Sequence, residues 1–269
     1  MKSARTAFCA ALALAAPPAA AQPAAPVKLE MAYAGVLNAL HLPGEAKVMV
    51  MTVVERVGPS DFATGADIQT YGLLKALKHV DIRTDAAGPV VAGVPHPRTF
   101  EFTTFEGKKT KHVSMTWTAS DVLESPPHKD GGQPPPTAAL KLGAADPVTV
   151  FSRAPYAAEG PALCARNWRF FDGAQIYELQ FQPGKAAVPS AAERTLGLTA
   201  AHSCPVRYAE IAGFTHRAGD HKEDWLKGDL IARFGKVGAA GPWIFVSLKA
   251  DTFLGYAKIE LTGVKAGTP

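Results

Sequence analysis

Apolar and polar residues alternate along most of the chain after residue 28. A period of two predicts a β-strand with one buried face, because successive side chains of a strand point to opposite sides of a sheet. Several of these segments are also rich in Val, Ile and Thr, which favour extended backbone. The predicted strands lie within residues 29–37, 47–56, 62–74, 77–84, 99–105, 111–118, 167–171, 175–182, 207–214, 226–234, 243–249 and 254–261.

Turn signals separate several neighbouring strand segments. A Glu-Gly pair at 106–107 and an Asp-Gly pair at 172–173 are typical of tight hairpin turns. The glycine-rich run 235–241 predicts a further hairpin, since it lacks the Gly-Lys-Ser/Thr ending of a phosphate-binding loop. Strands joined by such short turns run antiparallel.

One segment has the features of a helix. Asp146 can cap the amino end of a helix over 146–154, and Pro147 suits its first turn. Strands and helices do not alternate regularly, so a parallel sheet is not expected. The predicted fold class is all-β, with an antiparallel curved sheet or partly open β-barrel and one or two short helices.

The amino-terminal residues have the pattern of a secretory signal peptide. Lys2 and Arg5 give a positive start, residues 6–16 are an apolar run, and small residues precede a cleavage point after about Ala21. We therefore expect residues 1–21 to be removed on export to the periplasm.

The remainder is predicted to be a short tail and one domain. Residues 22–27 are rich in Pro and Ala and are expected to be disordered. A single β domain over 28–269 follows, and its Pro- and Gly-rich stretch near 121–141 predicts a surface loop.

Composition argues against nucleic-acid binding and against a transmembrane helix. The formal net charge of +4 is too small to indicate nucleic-acid binding. The densest basic run, formed by Lys108, Lys109 and Lys111, is interpreted as the solvated tip of a hairpin. No segment of the mature chain is long and apolar enough to predict a transmembrane helix.

Two cysteines, Cys164 and Cys204, lie outside the predicted signal peptide. In an oxidising compartment they are expected to form a structural disulfide. A redox-active pair is disfavoured because no Cys-x-x-Cys motif occurs. A zinc site is disfavoured as well, since further ligands at suitable spacing are not evident.

No motif indicates a catalytic or metal centre. His216 and His221, with Asp220 and Asp224, lie in a polar stretch that is interpreted as a loop. A Gly-x-Ser-x-Gly elbow is absent. We predict no cofactor, no metal and no enzymatic activity. An undetected hydrolase is kept as an alternative, because triad residues can be dispersed along a chain.

Strand aromatics and methionines suggest a binding surface. The hypothesis is that one concave face is lined by Met49, Met51, Trp117, Phe170 and Phe181 and holds an apolar ligand. Methionine suits adaptable apolar surfaces, and barrel mouths are common ligand sites. An ordinary β core is the alternative interpretation of the same residues.

A set of short motifs spans most of the mature chain. In order they are Tyr33-Ala34-Gly35, Tyr71-Gly72-Leu73, Asp146-Pro147, Cys164 with Arg169-Phe170-Phe171-Asp172-Gly173, Tyr177-Glu178-Leu179, Cys204-Pro205-Val206-Arg207-Tyr208 and Ile211-Ala212-Gly213. This order resembles the bacterial domain-of-unknown-function 3108 (DUF3108) family. The resemblance implies an exported protein of unassigned activity. It also implies a curved sheet or partly open barrel similar to the periplasmic lipoprotein carriers LolA and LolB.

These features together predict a non-enzymatic periplasmic protein that binds an apolar or lipid-like molecule or assists cell-envelope assembly. The alternative is an interaction module that engages an envelope protein through its strand edges or its Pro-rich loop.

Overall fold

The computed structural model describes residues 26–39, 44–127, 135–165, 167–214, 230–252 and 255–267. The predicted signal peptide and the polar stretch with His216 and His221 lie outside these ranges, and so does part of the Pro-rich loop.

The described residues form fifteen strands and five α-helices. The strands are β1 (Val27–Ala39), β2 (Ala46–Val57), β3 (Asp61–Thr70), β4 (Val80–Val91), β5 (Val94–Pro95), β6 (Thr99–Glu106), β7 (Lys109–Trp117), β8 (Val122–Ser125), β9 (Trp168–Phe171), β10 (Ile176–Phe181), β11 (Lys185–Ala187), β12 (Leu198–Ala212), β13 (Leu230–Val237), β14 (Trp243–Thr252) and β15 (Gly255–Gly267). The helices are α1 (Gly72–Leu77), α2 (Ala138–Leu142), α3 (Thr149–Arg153), α4 (Gly160–Leu163) and α5 (Ala191–Thr195).

The strands pair into one large antiparallel sheet, which confirms the predicted all-β class. Its order is β8-β7-β6-β4-β3-β2-β1-β15-β14-β13-β12-β10-β9, with β5 added to β4 and β11 to β12. The first and last strands of the chain, β1 and β15, therefore pair in the middle of the sheet. They join an amino-terminal half, β2 to β8, to a carboxy-terminal half, β9 to β14.

The sheet curls until its two edges approach each other, but within the described residues no strand pairing joins β8 to β9. Residues 138–145, here called the seam segment, lie between the edges instead. The amide of Ala145 donates to the carbonyl of Arg169 in β9 at 2.9 Å. On the other side, Nε1 of Trp117 donates to the carbonyl of Ala144 at 3.1 Å. Lys141 also forms an ion pair with Glu124 of β8. The molecule is therefore a curled sheet whose seam is bridged by a non-strand segment.

Residues 146–156, the interior segment, run through the inside of the curl. They include α3 and a 3₁₀ turn, Ala154–Tyr156. The Phe151 ring lies 5.5 Å from Tyr33 of β1 and 5.4 Å from Phe245 of β14. The hydroxyl of Tyr156 donates to the carbonyl of Gly58 at 3.0 Å. The interior segment is thus held against both halves of the sheet.

Aromatic side chains fill the space inside the carboxy-terminal half. Trp168 and Phe181 have ring centroids 4.5 Å apart, and Phe234 of β13 packs edge-on to Trp168 at 5.9 Å. All three are buried. This half of the interior is solidly packed.

The predicted hairpins occur at 106–107 and 172–173, and the run 235–241 spans the turn between β13 and β14. The helix expected over 146–154 is confirmed in part, because α3 begins at Thr149. Two strand predictions are wrong near α1. Residues 72–77 are helical rather than extended, and β4 begins at Val80 rather than at Leu77. Leu74 and Leu77 lie three apart, which is a helical spacing.

The predicted disulfide is present between Cys164, at the end of α4, and Cys204 in β12, with their Cα atoms 5.6 Å apart. Both cysteines are buried. Gly184 permits this contact, because a Cβ atom at that position would collide with the sulfur of Cys164. The bond ties the short helices to the carboxy-terminal half of the sheet.

Removing the disulfide should destabilise the fold. The bonded cysteines are 40 residues apart in sequence, and a cross-link of that length restricts the unfolded chain by about 4 kcal/mol. We expect the double substitution Cys164→Ser and Cys204→Ser to lower the free energy of unfolding by about that amount in urea titrations. Reductant should destabilise the wild type and leave the double variant unchanged. Equal stability of wild type and variant would contradict this role.

Candidate functional site

A cavity of about 390 Å³ lies inside the amino-terminal half, between the sheet and the interior segment. Ligand pockets commonly measure about 300–1,000 Å³, far more than the space that one buried water needs. The cavity is lined by Met51, Ala66, Ile68, Ile82, Thr84, Phe100, Phe102, Lys111, Val113, Pro147, Val148, Phe151, Asp172 and Ala174.

Strand register explains why this space exists. Neighbouring strands align Ala66 with Thr84, Thr84 with Phe102, and Phe102 with Val113 on the concave face. Ala66 and Thr84 are small, so the wall of the curl recedes in the middle of this row. Pro147 and Val148 cover the space from the opposite side. The cavity is therefore a consequence of small side chains at paired positions.

The cavity opens at the end of the curl where the 172–175 turn meets β7. Gly173 has a φ of +93°, and a Cβ there would lie 3.1 Å from a methyl group of Val113. Glycine thus allows the turn to approach β7 closely. Two exposed charged residues, Lys111 and Asp172, stand at this mouth.

One polar atom in the cavity wall has no partner. The hydroxyl oxygen of Thr84 is buried and makes no hydrogen bond within the described residues. An unpaired buried hydroxyl is unfavourable by about 1–3 kcal/mol. A polar atom of a ligand or a water molecule in the cavity would satisfy it.

Asp146 fixes the start of the interior segment. Its Oδ1 accepts hydrogen bonds from the amides of Val148 and Thr149, each at 3.0 Å. Burial raises the pKa of Asp146 to about 6, while these bonds act in the opposite direction. The carboxyl group therefore positions the residues that cover the cavity. It lies two residues before Val148, the N-cap residue of α3, so the predicted helix cap is shifted along the chain.

Glu55 is a fully buried carboxyl group on the concave face of β2. The hydroxyls of Thr64 and Ser152 hydrogen-bond each other beside it, but neither carboxyl oxygen has a regular hydrogen-bond partner within the described residues. Burial raises the pKa of Glu55 to about 8, and the two hydroxyls only partly oppose that increase. Glu55 is therefore protonated at neutral pH and stands next to the interior segment as a neutral group.

The structure places the five sequence candidates in different surroundings. Met51 lines the cavity. Met49 is half-buried and touches Gly35, and Trp117 contacts the seam segment. Phe170 and Phe181 are buried and face Tyr177 and Trp168 respectively. Among the five, Met51 alone belongs to the lining.

Several lining residues were missed by the sequence analysis. Ala66, Thr84, Phe102 and Val113 come from four strands, and only the register brings them together. Alternation within each strand shows which side chains share a face, but not which strands lie side by side. The predicted lining was therefore built from large aromatic residues and methionines.

Within the described residues, Cys164, His202 and Cys204 form the one group with metal-ligand geometry, with candidate ligand atoms within 4.8 Å of one another. Both sulfurs are used in the disulfide. Nε2 of buried His202 has no hydrogen-bond partner among those residues. While the sulfurs stay bonded, the group offers a single imidazole ligand, fewer than the three or four protein ligands typical of zinc sites.

Comparison with known proteins gives a similarity of fold. No family model matches the chain, and no curated protein matches it. A similar solved structure is the beta-barrel-like protein of domain of unknown function DUF1849 from Brucella abortus. It has 13% sequence identity and a TM-score of 0.46, and the match covers 90% of this chain and 99% of that one. No helix in the described ranges combines the length and apolarity required to cross a bilayer.

Substitution of Glu55 should reveal its protonation. In the unfolded chain a glutamate ionises near pH 4.5, whereas the folded pKa is about 8. Between these values the unfolded state binds fewer protons, so stability falls with rising pH by at most about 1.4 kcal/mol per pH unit. Glu55→Gln removes this contribution, and its stability relative to wild type should rise from pH 5 to pH 8 in urea titrations.

The matched control is Glu101→Gln, which alters an exposed carboxylate on the outer face of β6. Its stability should follow that of the wild type across the same pH range. Parallel curves for Glu55→Gln and wild type would show that Glu55 ionises normally.

Proposed function

We propose that this chain is an exported, periplasmic protein whose cavity binds an apolar, lipid-like molecule without catalysing a reaction on it. The observation that carries the proposal is the cavity of about 390 Å³ with a predominantly apolar lining. Of its fourteen lining residues, Thr84, Lys111 and Asp172 are polar or charged, and the latter two lie at the mouth.

The arrangement of these groups suggests how a ligand is oriented. An apolar chain in the cavity would be stabilised by about 0.8 kcal/mol for each methylene group removed from water. A polar end of the ligand would lie at the mouth, where Lys111 and Asp172 reach solvent. The Thr84 hydroxyl offers one internal hydrogen bond. This pattern of apolar walls with few polar groups is typical of binding sites.

Export is supported by the disulfide, since such bonds persist mainly in oxidising compartments. The leader-like residues 1–21 point in the same direction. A relation to the DUF3108 family, suggested by the order of its short motifs, is part of the same proposal.

Filling the cavity should weaken ligand binding. Ala66 is 4% exposed and faces the cavity, so Ala66→Phe places a ring in space that the ligand would occupy. We expect the affinity for a fluorescent fatty-acid analogue, dansyl-undecanoic acid, to fall at least about tenfold because the apolar contact area is lost. Fluorescence titration measures the affinity, and native mass spectrometry of periplasm-derived protein tests for a co-purified lipid.

Ala63→Phe is the matched control, because Ala63 lies on the outer face of the same strand, β3. It should leave binding unchanged. The proposal fails if the wild type binds no probe and carries no lipid, or if the two phenylalanine variants bind equally well.

A further inference from the structure

Three described parts of the amino-terminal half lie at the end of the curl where the cavity opens. They are the end of β1 with the start of β2, the link from β3 through α1 to β4, and the turn from β6 to β7. Register places them side by side: Leu37 pairs with Ala46, and Val80 pairs with Glu106. Lys111, at the cavity mouth, follows the same turn. We call this end of the molecule the rim.

The rim concentrates exposed apolar side chains. Eleven large apolar residues are exposed in the described part of the chain, and five of them lie here. They are Leu37 (43% exposed), Tyr71 (47%), Leu74 (38%), Leu77 (78%) and Phe105 (42%). Single exposed apolar residues are normal, but a group of them around one opening indicates an interaction surface.

Lysines surround these apolar residues. Lys47 lies 4.6 Å above the ring of Tyr71, and Lys78 pairs with Glu106 at 3.1 Å. Lys75, Lys108 and Lys109 are exposed. Further basic and acidic residues at or beside this end are Lys111, His79, His112, Glu45, Asp81 and Asp172.

Part of the acidic charge at the rim is already neutralised. Glu106 is paired with Lys78, and Glu45 interacts with Lys258 at 3.6 Å. Asp81 lies within hydrogen-bond distance of the His79 imidazole, at 3.2 Å. Lys75, Lys108 and Lys109 form no ion pair within the described residues. The rim therefore presents exposed ammonium groups together with exposed leucines and aromatic rings.

We propose that the rim docks on the surface of a membrane that contains anionic lipid, with the cavity mouth facing the bilayer. Lysines are attracted to anionic headgroups, while Leu, Tyr and Phe side chains insert at the boundary between headgroups and acyl chains. The exposed apolar residues of the rim come from strand ends and one short helix, and their exposure leaves them free to enter a lipid interface. This docking does not depend on whether the cavity binds a ligand.

Vesicle flotation tests the docking. The full mature chain is mixed with phosphatidylcholine vesicles that contain or lack phosphatidylglycerol. We expect the protein to float with the anionic vesicles, to stay in solution with neutral ones, and to dissociate as salt is raised.

Two rim variants separate the apolar and the electrostatic parts. Leu74→Asp combined with Leu77→Asp, and Lys108→Glu combined with Lys109→Glu, should each lower the vesicle partition coefficient at least about tenfold. The matched controls are Val91→Asp, at the opposite end of β4, and Lys185→Glu in β11, both exposed. These controls should bind vesicles as the wild type does.

The proposal is overturned if the wild type ignores anionic vesicles, if neutral vesicles bind it equally well, or if the controls lose as much binding as the rim variants. It is also overturned if only the lysine substitutions lower vesicle binding, since the exposed apolar side chains would then make no contribution to docking. Urea titration of each variant checks folding. Each folded rim variant should still bind dansyl-undecanoic acid in solution, so a failure of docking is distinguishable from a failure of the cavity.

Discussion

The interior segment, inserted into the curled sheet, holds the two halves of the molecule together. A single sheet with one apolar face is stable only when that face is covered, and here the cover is a segment of the same chain. Asp146 sets its start by accepting the amides of Val148 and Thr149. Phe151 then packs against both β1 and β14, and Tyr156 reaches the backbone between β2 and β3. These contacts keep the two halves of the curl at a fixed separation.

The interior segment divides the inside of the curl into two spaces that are filled to different extents. The aromatic rings of Trp168, Phe181 and Phe234 occupy the space beneath the carboxy-terminal half. On the other side of the interior segment, Ala66 and Thr84 leave a space that the covering residues do not fill. Close-packed interiors contain few spaces larger than a water molecule. The cavity thus results from small side chains at paired positions of neighbouring strands. Its opening lies at the end of the molecule that carries the exposed leucines and lysines.

Local signals predicted the elements well and their assembly poorly. The Asp-Gly pair at 172–173 and the hydrogen bonds of Asp146 involve neighbouring residues only, so the sequence alone indicates them. Helix α1 was missed because Leu74 and Leu77 are exposed and the helix follows a strand after a single residue. For the cavity, alternation shows which residues of a strand share a face, but not which strands lie opposite. Of the five candidates, Met51 lines the cavity, whereas Phe170 and Phe181 lie in the filled half, away from the lining.

The pairing of β1 with β15 determines when the central part of the sheet can form during folding. The register joins Leu37 to Ala257, so the central ladder forms only when two segments about 220 residues apart in sequence have met. Until then the nascent chain carries an unpaired edge on β1, a template for intermolecular aggregation. Contacts of such long sequence separation form slowly, because a large loop must close first. Biogenesis thus includes a vulnerable interval during which chaperones that shield strand edges would protect the chain.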